Sequence, residues 1–168
     1  ASAQNAGASG SAATAAAASS DLLADNAESH AESDDAAYDA GDAVTITLAD
    51  GASTASGAGV TIAGDTVTID APGTYVLSGK LTDGSVVVAS DAEGKVKLVL
   101  DGANITNAAG AAIAIRAADE AVVILADGSE NTLADGTAYD TSAQDAPDAA
   151  LFSMADLTIG GTGSLAVT

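Results

Sequence analysis

Residues 85–106 read SVVVASDAEGKVKLVLDGANIT, and this stretch decides the fold. Two later stretches repeat its order of features: AAIAIRAADEAVVILADGSENTL from Ala111 and AALFSMADLTIGGTGSLAVT from Ala149. In each, an apolar strand is followed by an Asp-containing corner, a second apolar strand and a Gly turn. Short β-branched or aliphatic runs closed by Gly, Asp or Asn are typical of strands. The sequence therefore predicts an all-β chain.

The repeat length narrows the fold class further. Asp101-Gly102 aligns with Asp127-Gly128, 26 residues later, and the third repeat is longer because of an insertion from Ala134 to Pro147. Repeats of this length, made of short strands without helical periodicity, favour successive coils of a parallel β-helix. Three coils are the fewest that form a stable stack, and the chain ends on a strand. We therefore expect an N-terminal portion of a longer solenoid.

Two asparagines occupy similar turn positions in this alignment. Asn104 and Asn131 follow the aligned Asp-Gly pairs. Two interpretations are open: the side-chain amides stack into a ladder between coils, or each amide caps its own turn.

The composition changes at Val44. Residues 1–20 are small and uncharged, and residues 21–42 carry eight acids. Such segments bury too little apolar surface to offset the entropy of ordering. We therefore expect a disordered tether over residues 1–42 and a β domain over residues 43–168.

The charge excludes several classes of function. With 24 acids against four bases, the net charge is -20, which repels nucleic acid and anionic lipid. The absence of Cys excludes disulfides and thiol catalysis. The single histidine, His30, lies in the tether, so we predict no catalytic residues. The sequence contains no apolar run long enough to span a membrane, and its start lacks signal-peptide features, which suits a cytosolic chain or a processed one.

The ordered string APGTYVLSGKLTDGSVVV, KLVLDGANIT, GAAIAIRAADEAVVILADGSENTLADG and DAALFSMADLTIGGTGSLAVT resembles a family of bacterial cell-surface carbohydrate-binding proteins. The resemblance implies a right-handed, pectate-lyase-like β-helix that binds cellulose and polygalacturonate and carries calcium. It also implies an extracellular, processed lipoprotein with a lipidated Cys before residue 1. We expect an acidic or cellulosic polysaccharide as partner.

Acidic residues are the candidate calcium ligands. The insertion places several aspartates close together in sequence, Asp145 among them, and hard cations prefer carboxylate and carbonyl oxygens. The resemblance points to Asp148 and Asp156, with Asp119 and Glu120 at the matching corner of the preceding coil. A solvated acidic rim is the alternative interpretation.

Three residues are candidates for sugar contact. Arg116 follows the AIAI strand, where an outward guanidinium would bind a uronate carboxylate in bidentate fashion. The alternative is a salt bridge to Asp119 or Glu120. Lys97 belongs with Lys95 and Arg116 to an expected basic island. Tyr139, in the insertion, is the expected exposed ring for stacking on a sugar.

The sequence thus favours non-catalytic, calcium-dependent binding of acidic polysaccharide at the bacterial surface. A structural or adhesive surface module without glycan affinity shares every one of these compositional features. A polyuronate lyase is disfavoured because Arg116 is the only arginine, and its pKa above about 12 makes it a poor base without special surroundings.

Overall fold

The computed structural model describes residue 32, residues 34–137, residue 139 and residues 146–168. Within these residues the chain forms strands and turns and no helix, so the prediction of an all-β protein is confirmed. No described helix is therefore available to cross a membrane. The chain divides into two units, residues 1–32 and 33–168, and every described strand lies in the second. The predicted tether up to residue 31 lies outside the described residues.

The strands form two sheets and are numbered in chain order. Sheet A contains β1 (Val44–Ala49), β2 (Thr54–Ala55), β5 (Gly73–Leu81), β7 (Lys95–Asn107), β9 (Glu120–Leu125), β10 (Glu130–Asp135), β12 (Asp156–Gly161) and β13 (Ser164–Val167). Sheet B contains β3 (Val60–Ala63), β4 (Thr66–Ile69), β6 (Ser85–Ala89), β8 (Ile113–Ala117) and β11 (Leu151–Ser153).

From β4 onward each strand of sheet B is followed along the chain by one or two strands of sheet A. In sheet A, strands β1, β5, β7, β9 and β12 pair in that order, each parallel to the next. In sheet B, strands β4, β6, β8 and β11 do the same. The hairpins β1–β2 and β3–β4 are antiparallel. Each pass therefore adds its strands beside those of the preceding pass, and the repeats seen in the sequence are also structural repeats.

The core is a stack of aliphatic side chains between the sheets. Tyr75, Leu98 and Val123 pair in register in sheet A, and each is at most 2% exposed. Val86 and Ile113 form the equivalent column in sheet B and are fully buried. Successive residues of a strand point to opposite faces. The Val, Ile and Leu residues at alternate positions of each strand therefore enter this stack. A chain with four aromatic residues can therefore still bury a continuous core.

Of the two interpretations of Asn104 and Asn131, the ladder between coils is not formed. Asn104 pairs with Thr132, so Asn131 is displaced by one residue and faces the opposite side of the sheet. Asn131 is 3% exposed, whereas Asn104 is half-buried. The Asn131 Oδ1 atom accepts hydrogen bonds from the amides of Gly102 (3.0 Å) and Ala103 (2.9 Å) in the preceding pass. Its Nδ2 donates to Ser129 Oγ (2.8 Å) and to the Ser164 carbonyl (3.1 Å) in the next pass.

Candidate functional site

A cleft of about 290 Å³ lies beside the outer face of sheet B. We call it the Arg116 cleft. Strands β6 and β8, the loop between β7 and β8, and the segment before β11 all contribute to it. Its lining residues are Ser85, Val87, Asn107, Ala109, Gly110, Ala111, Ala114, Arg116, Ala146 and Pro147.

A register shift places Arg116 in this cleft. Val88 of β6 pairs with Ile115 of β8, and the next pair is Ala89 with Ala117. Arg116 is therefore an extra residue with no partner on β6. Such β-bulges re-aim a side chain and are frequent next to functional sites.

Arg116 is the one charged residue among the described residues that line the cleft. Its side chain is exposed. The salt bridge to Asp119 or Glu120 that the sequence allowed is not formed. Asp119 Oδ2 instead accepts a hydrogen bond from the Gly94 amide at 3.0 Å, and Glu120 Oε1 lies 3.1 Å from Lys95 Nζ. The guanidinium therefore remains available to an anionic ligand.

The rest of the lining is small, apolar or neutral. Asn107 shapes the loop, because its Nδ2 donates to the Ala111 carbonyl at 2.9 Å and its Oδ1 accepts from the Ala109 amide at 3.0 Å. Val87 and Pro147 contribute apolar surface, and Ser85 contributes a hydroxyl-bearing side chain. A guanidinium next to apolar surface can hold a carboxylate together with the C–H face of the molecule that carries it.

Three of the predicted metal ligands lie along one edge of sheet A. Glu120 and Asp156 pair at the first positions of β9 and β12, and Lys95 pairs with Glu120 on its other side. The contact from Lys95 Nζ to Glu120 Oε1 is an ion pair outside hydrogen-bond geometry. Within the described part of the chain, Asp119, Glu120 and Asp156 do not form a close group of three carboxylates.

The remaining predicted ligands are placed elsewhere. Asp148 precedes β11 and Asp156 begins β12, so strand β11 separates them. Asp145 lies outside the described residues.

Asp148 is instead near the phenol of Tyr139. The Tyr139 hydroxyl donates a hydrogen bond to Asp135 Oδ2. This bond, loss of solvation and the charges of Asp135 and Asp148 raise the pKa of Tyr139 to about 12. The ring is half-buried and its hydroxyl is bonded to a carboxylate, and the stacking of Tyr139 on a sugar stays a prediction.

Lys95 and Lys97 hold a segment of the predicted tether. We call residues 34–38 the strap. Lys95 Nζ lies 2.7 Å from Asp35 Oδ1, and Asp35 is 3% exposed. Lys97 Nζ donates to the carbonyls of Ala37 at 2.8 Å and Asp34 at 3.3 Å. Because both lysines belong to β7 in sheet A and Arg116 belongs to β8 in sheet B, the expected basic island is not formed.

The strap lies over apolar side chains on the outer face of sheet A. Val99, Val122 and Ile124 point away from the main core, yet each is at most 2% exposed and together they form a second apolar cluster. Ala36 and Tyr38 line a cleft together with Ile124. Residues 34–38 belong to the segment predicted to be a disordered tether, but their contacts place them against the β domain.

A family model described as "Carbohydrate-binding domain-containing protein" matches residues 63–168, more than half of the chain. The chain belongs to this family. The match covers β4 to β13 and therefore the whole Arg116 cleft. The carbohydrate-binding part of the resemblance is thus confirmed at the level of the family.

Two relatives extend this assignment. A carbohydrate-binding domain-containing protein of Acetivibrio thermocellus is 40% identical over 111 residues, which are 65% of this chain and 39% of the relative. A solved structure described as the gadolinium derivative of a polysaccharide lyase-like protein from C. thermocellum has a TM-score of 0.68 at 35% identity. That match covers 73% of this chain and 50% of the solved chain. The chain therefore spans half or less of the length of the relatives that it matches.

Sequence reasoning found Arg116 but missed most of its surroundings. Val87 belongs to the apolar run SVVVA, and strand alternation would have placed it on the outer face between two core residues. Pro147 and Asn107 come from distant loops, and the sequence carries no signal that they meet. The register shift at Arg116 is invisible without the partner strand.

Proposed function

We propose that the protein is a non-catalytic polysaccharide-binding domain and that the Arg116 cleft contacts the glycan. The observation that carries this proposal is the placement of Arg116. In a chain of charge -20, this guanidinium is exposed, lies at a register shift and lines a cleft in which no described residue is acidic. Membership of a carbohydrate-binding family supports the same function.

The charge pattern favours an acidic polysaccharide such as polygalacturonate. The whole molecule repels a polyanion, and this repulsion is screened beyond about 8 Å at physiological salt. A contact must therefore act at short range, where an Arg–carboxylate pair forms two parallel hydrogen bonds. A neutral glucan can accept hydrogen bonds from the guanidinium but has no carboxylate to form this bidentate charged pair.

We also propose that the passes wind as a right-handed, pectate-lyase-like parallel β-helix. The alternation between sheets and the parallel registers of β5, β7 and β9 support this winding. The β-helix would present the outer face of sheet B as a flat track along which a linear polymer can lie.

Calcium dependence and an extracellular location at the bacterial surface, as a processed lipoprotein, belong to the same proposal. Asp148 is exposed, and its charge and that of Asp135 both act on the phenol of Tyr139. The oxygens of these two carboxylates suit a hard cation. Two carboxylates fall short of the six to eight oxygens that calcium takes, so further oxygens would have to come from the glycan or from solvent. Calcium, when bound, would supply positive charge for uronate oxygens.

The experiment is affinity electrophoresis of the full chain in gels that contain polygalacturonate. We expect Arg116→Ala to weaken retention at least about tenfold, because one bidentate charged contact is worth roughly 1.5–3 kcal/mol. Lys80→Ala is the matched control. It removes one positive charge at an exposed position of sheet A and should change retention less than about twofold.

Three outcomes would overturn the proposal. Retention that is equal for wild type and Arg116→Ala would exclude the cleft. Binding to neutral glucans alone would exclude the acidic ligand. Release of unsaturated sugar, measured by ultraviolet absorbance, would favour the lyase activity that the description of the solved relative suggests.

A further inference from the structure

We propose that the strap is an internal ligand that closes a second carboxylate-binding face, and that an acidic polysaccharide competes with the strap for it. This face is the outer side of sheet A beneath the strap, and we call it the strap face. It is formed by residues of β7, β9 and β12: Lys95, Lys97, Val99, Val122, Ile124 and Gly160. The Arg116 cleft lies against sheet B, so the two surfaces are separate.

The strap covers the apolar part of this face. Val99, Val122 and Ile124 are each at most 2% exposed although they point away from the main core. Ala36 of the strap lies against β12, because a Cβ atom added to Gly160 would be 3.4 Å from the Ala36 Cβ atom. Gly160 pairs with Ile124 in register. Release of the strap would therefore expose an aliphatic patch.

The contacts of the two lysines indicate what this face binds. Lys95 Nζ lies 2.7 Å from Asp35 Oδ1, so the face already holds one carboxylate. Lys97 Nζ donates to two neutral oxygens, the carbonyls of Ala37 at 2.8 Å and Asp34 at 3.3 Å. A carboxylate, neutral oxygens and small apolar groups are thus bound side by side. A uronate sugar offers the same set, with a carboxylate, hydroxyl oxygens and a C–H face.

Lys97 is the base that favours replacement of the strap by a glycan. Lys95 also contacts Glu120 at 3.1 Å, an acid of the β domain that stays in place when the strap leaves. Lys97 instead gives up two backbone carbonyls. A carboxylate attracts an ammonium more strongly than a carbonyl does, because both partners are then charged. A uronate on Lys97 would therefore offset the loss of the strap contacts.

The strap competes as a tethered segment. Residues 39–43 join it to β1, and so short a linker gives an effective concentration of about millimolar. The apparent affinity of the strap face is then reduced by the fraction of molecules in which the strap is open. The strap also lies outside residues 63–168, which the family model matches. The inference rests on the proposed function for its class of ligand, and its experiment is carried out without Arg116 so that the two fail separately.

The experiment uses the full chain with Arg116→Ala and adds Gly160→Val. The valine would collide with Ala36, leaves the net charge unchanged and occupies a position without a left-handed φ. We expect hydrogen exchange of the amides in residues 35–38 to become at least about tenfold faster and retention in polygalacturonate gels to rise at least about threefold. Gly160→Ala in the same background is the matched control. Its methyl group makes an ordinary contact with Ala36, so both readouts should change less than about twofold.

Lys97→Ala, added to Arg116→Ala and Gly160→Val, tests whether the gain depends on the base. We expect retention to return to that of Arg116→Ala alone while the strap amides still exchange fast. Faster exchange without a gain in retention would show that the strap only covers the apolar patch, and a gain that survives Lys97→Ala would show that the face does not act through this base. Either result overturns the proposal. A larger gain in gels that contain polyglutamate would assign the face to acidic peptides instead.

The wild-type strap tests the same competition, whether or not Gly160→Val releases it. We expect trigalacturonate, added to Arg116→Ala up to about 10 mM, to speed hydrogen exchange of the amides in residues 35–38 at least about twofold. This range exceeds the effective concentration of the strap. Unchanged exchange over the whole range would overturn the proposal. Equal retention of wild type and Arg116→Ala would instead count against the Arg116 cleft and leave the strap result standing.

Discussion

Asp50 and Thr82 are joined by two hydrogen bonds although 32 residues separate them. The Thr82 amide donates to Asp50 Oδ1 at 2.7 Å, and the Thr82 hydroxyl donates to Asp50 Oδ2 at 2.6 Å. Other aspartates accept backbone amides from neighbouring passes in the same way: Asp65 from Gly51 and Asp83 from Ala108. Several acidic residues of this chain therefore link one turn to the next.

We expect Asp50→Asn to lower the melting temperature at neutral pH. The side-chain and backbone hydrogen bonds from Thr82 lower the pKa of Asp50 below its ordinary value. A lowered pKa contributes stability that is present above about pH 4 and is lost as the pH falls through the folded-state value. The difference from wild type should therefore shrink in thermal denaturation toward pH 2. Asp101→Asn, which removes an exposed carboxylate, is the control, and an equal effect in both variants would count against the bond.

We expect Asn131→Ala to lower the free energy of unfolding by about 3 kcal/mol. The substitution leaves the amides of the half-buried Gly102 and the buried Ala103 without an acceptor, and each such loss costs roughly 1–3 kcal/mol. Asn104→Ala is the matched control. Asn104 makes one long bond, from Nδ2 to the Gly102 carbonyl at 3.4 Å, and its loss should cost less than about 0.5 kcal/mol. Urea denaturation measures both, and similar losses would show that Asn131 has no special role.

Gly161 is expected to tolerate no side chain. Its φ is 99°, and a Cβ atom would lie 2.2 Å from the carbonyl oxygen of Leu125 in the preceding pass. Gly128 also has a positive φ, 70°, but a Cβ atom there would meet nothing within 4 Å. Gly128→Ala should therefore cost only the strain of the left-handed conformation, about 1–2 kcal/mol, and Gly161→Ala distinctly more. Equal melting temperatures for the two variants would contradict the close approach of these passes.

The repeats and the strand order could be predicted from the sequence because they depend on patterns within one repeat. Ser85 and Ala111 each open an apolar run, and these runs became the paired strands β6 and β8. The register between repeats could not be predicted in this way, because it depends on how two different repeats pair. Asn131 is one residue out of register with Asn104 between β7 and β10, and a separate shift between β6 and β8 leaves Arg116 without a partner. A shift of one residue is small beside a repeat of about 26 residues, so an alignment of the repeats does not show it.

The candidate site was harder to predict because its members come from separate passes. Arg116 was found from its chemistry as an outward base. The role of Lys97 was missed because its partners, the carbonyls of Asp34 and Ala37, are backbone atoms some 60 residues earlier.

The phenol of Tyr139 should titrate near pH 12, because the hydrogen bond to Asp135 favours its neutral form. A raised tyrosine pKa contributes stability that is complete below about pH 10 and is lost as the pH rises through the folded-state value. We expect Asp135→Asn to return this titration toward pH 10 in ultraviolet absorbance. Asp127→Asn is the control, because its carboxylate accepts from Thr162 instead. A tyrosine titration that is identical in wild type and Asp135→Asn would rule out the contact.

Lys97→Ala should separate the strap from the glycan site. The ammonium of Lys97 holds two strap carbonyls, so its loss should lower the free energy of unfolding by about 1 kcal/mol and speed hydrogen exchange of the amides in residues 35–38. Retention on polygalacturonate should stay within about twofold of wild type, since β7 and the Arg116 side chain lie on different sheets. Arg116→Ala should show the reverse, with glycan retention lost and strap exchange unchanged. The opposing result is that Lys97→Ala abolishes retention while the free energy of unfolding and the hydrogen exchange of the strap amides stay as in wild type. That result would show that Lys97 contacts the sugar and that its bonds to the strap do not stabilise the protein.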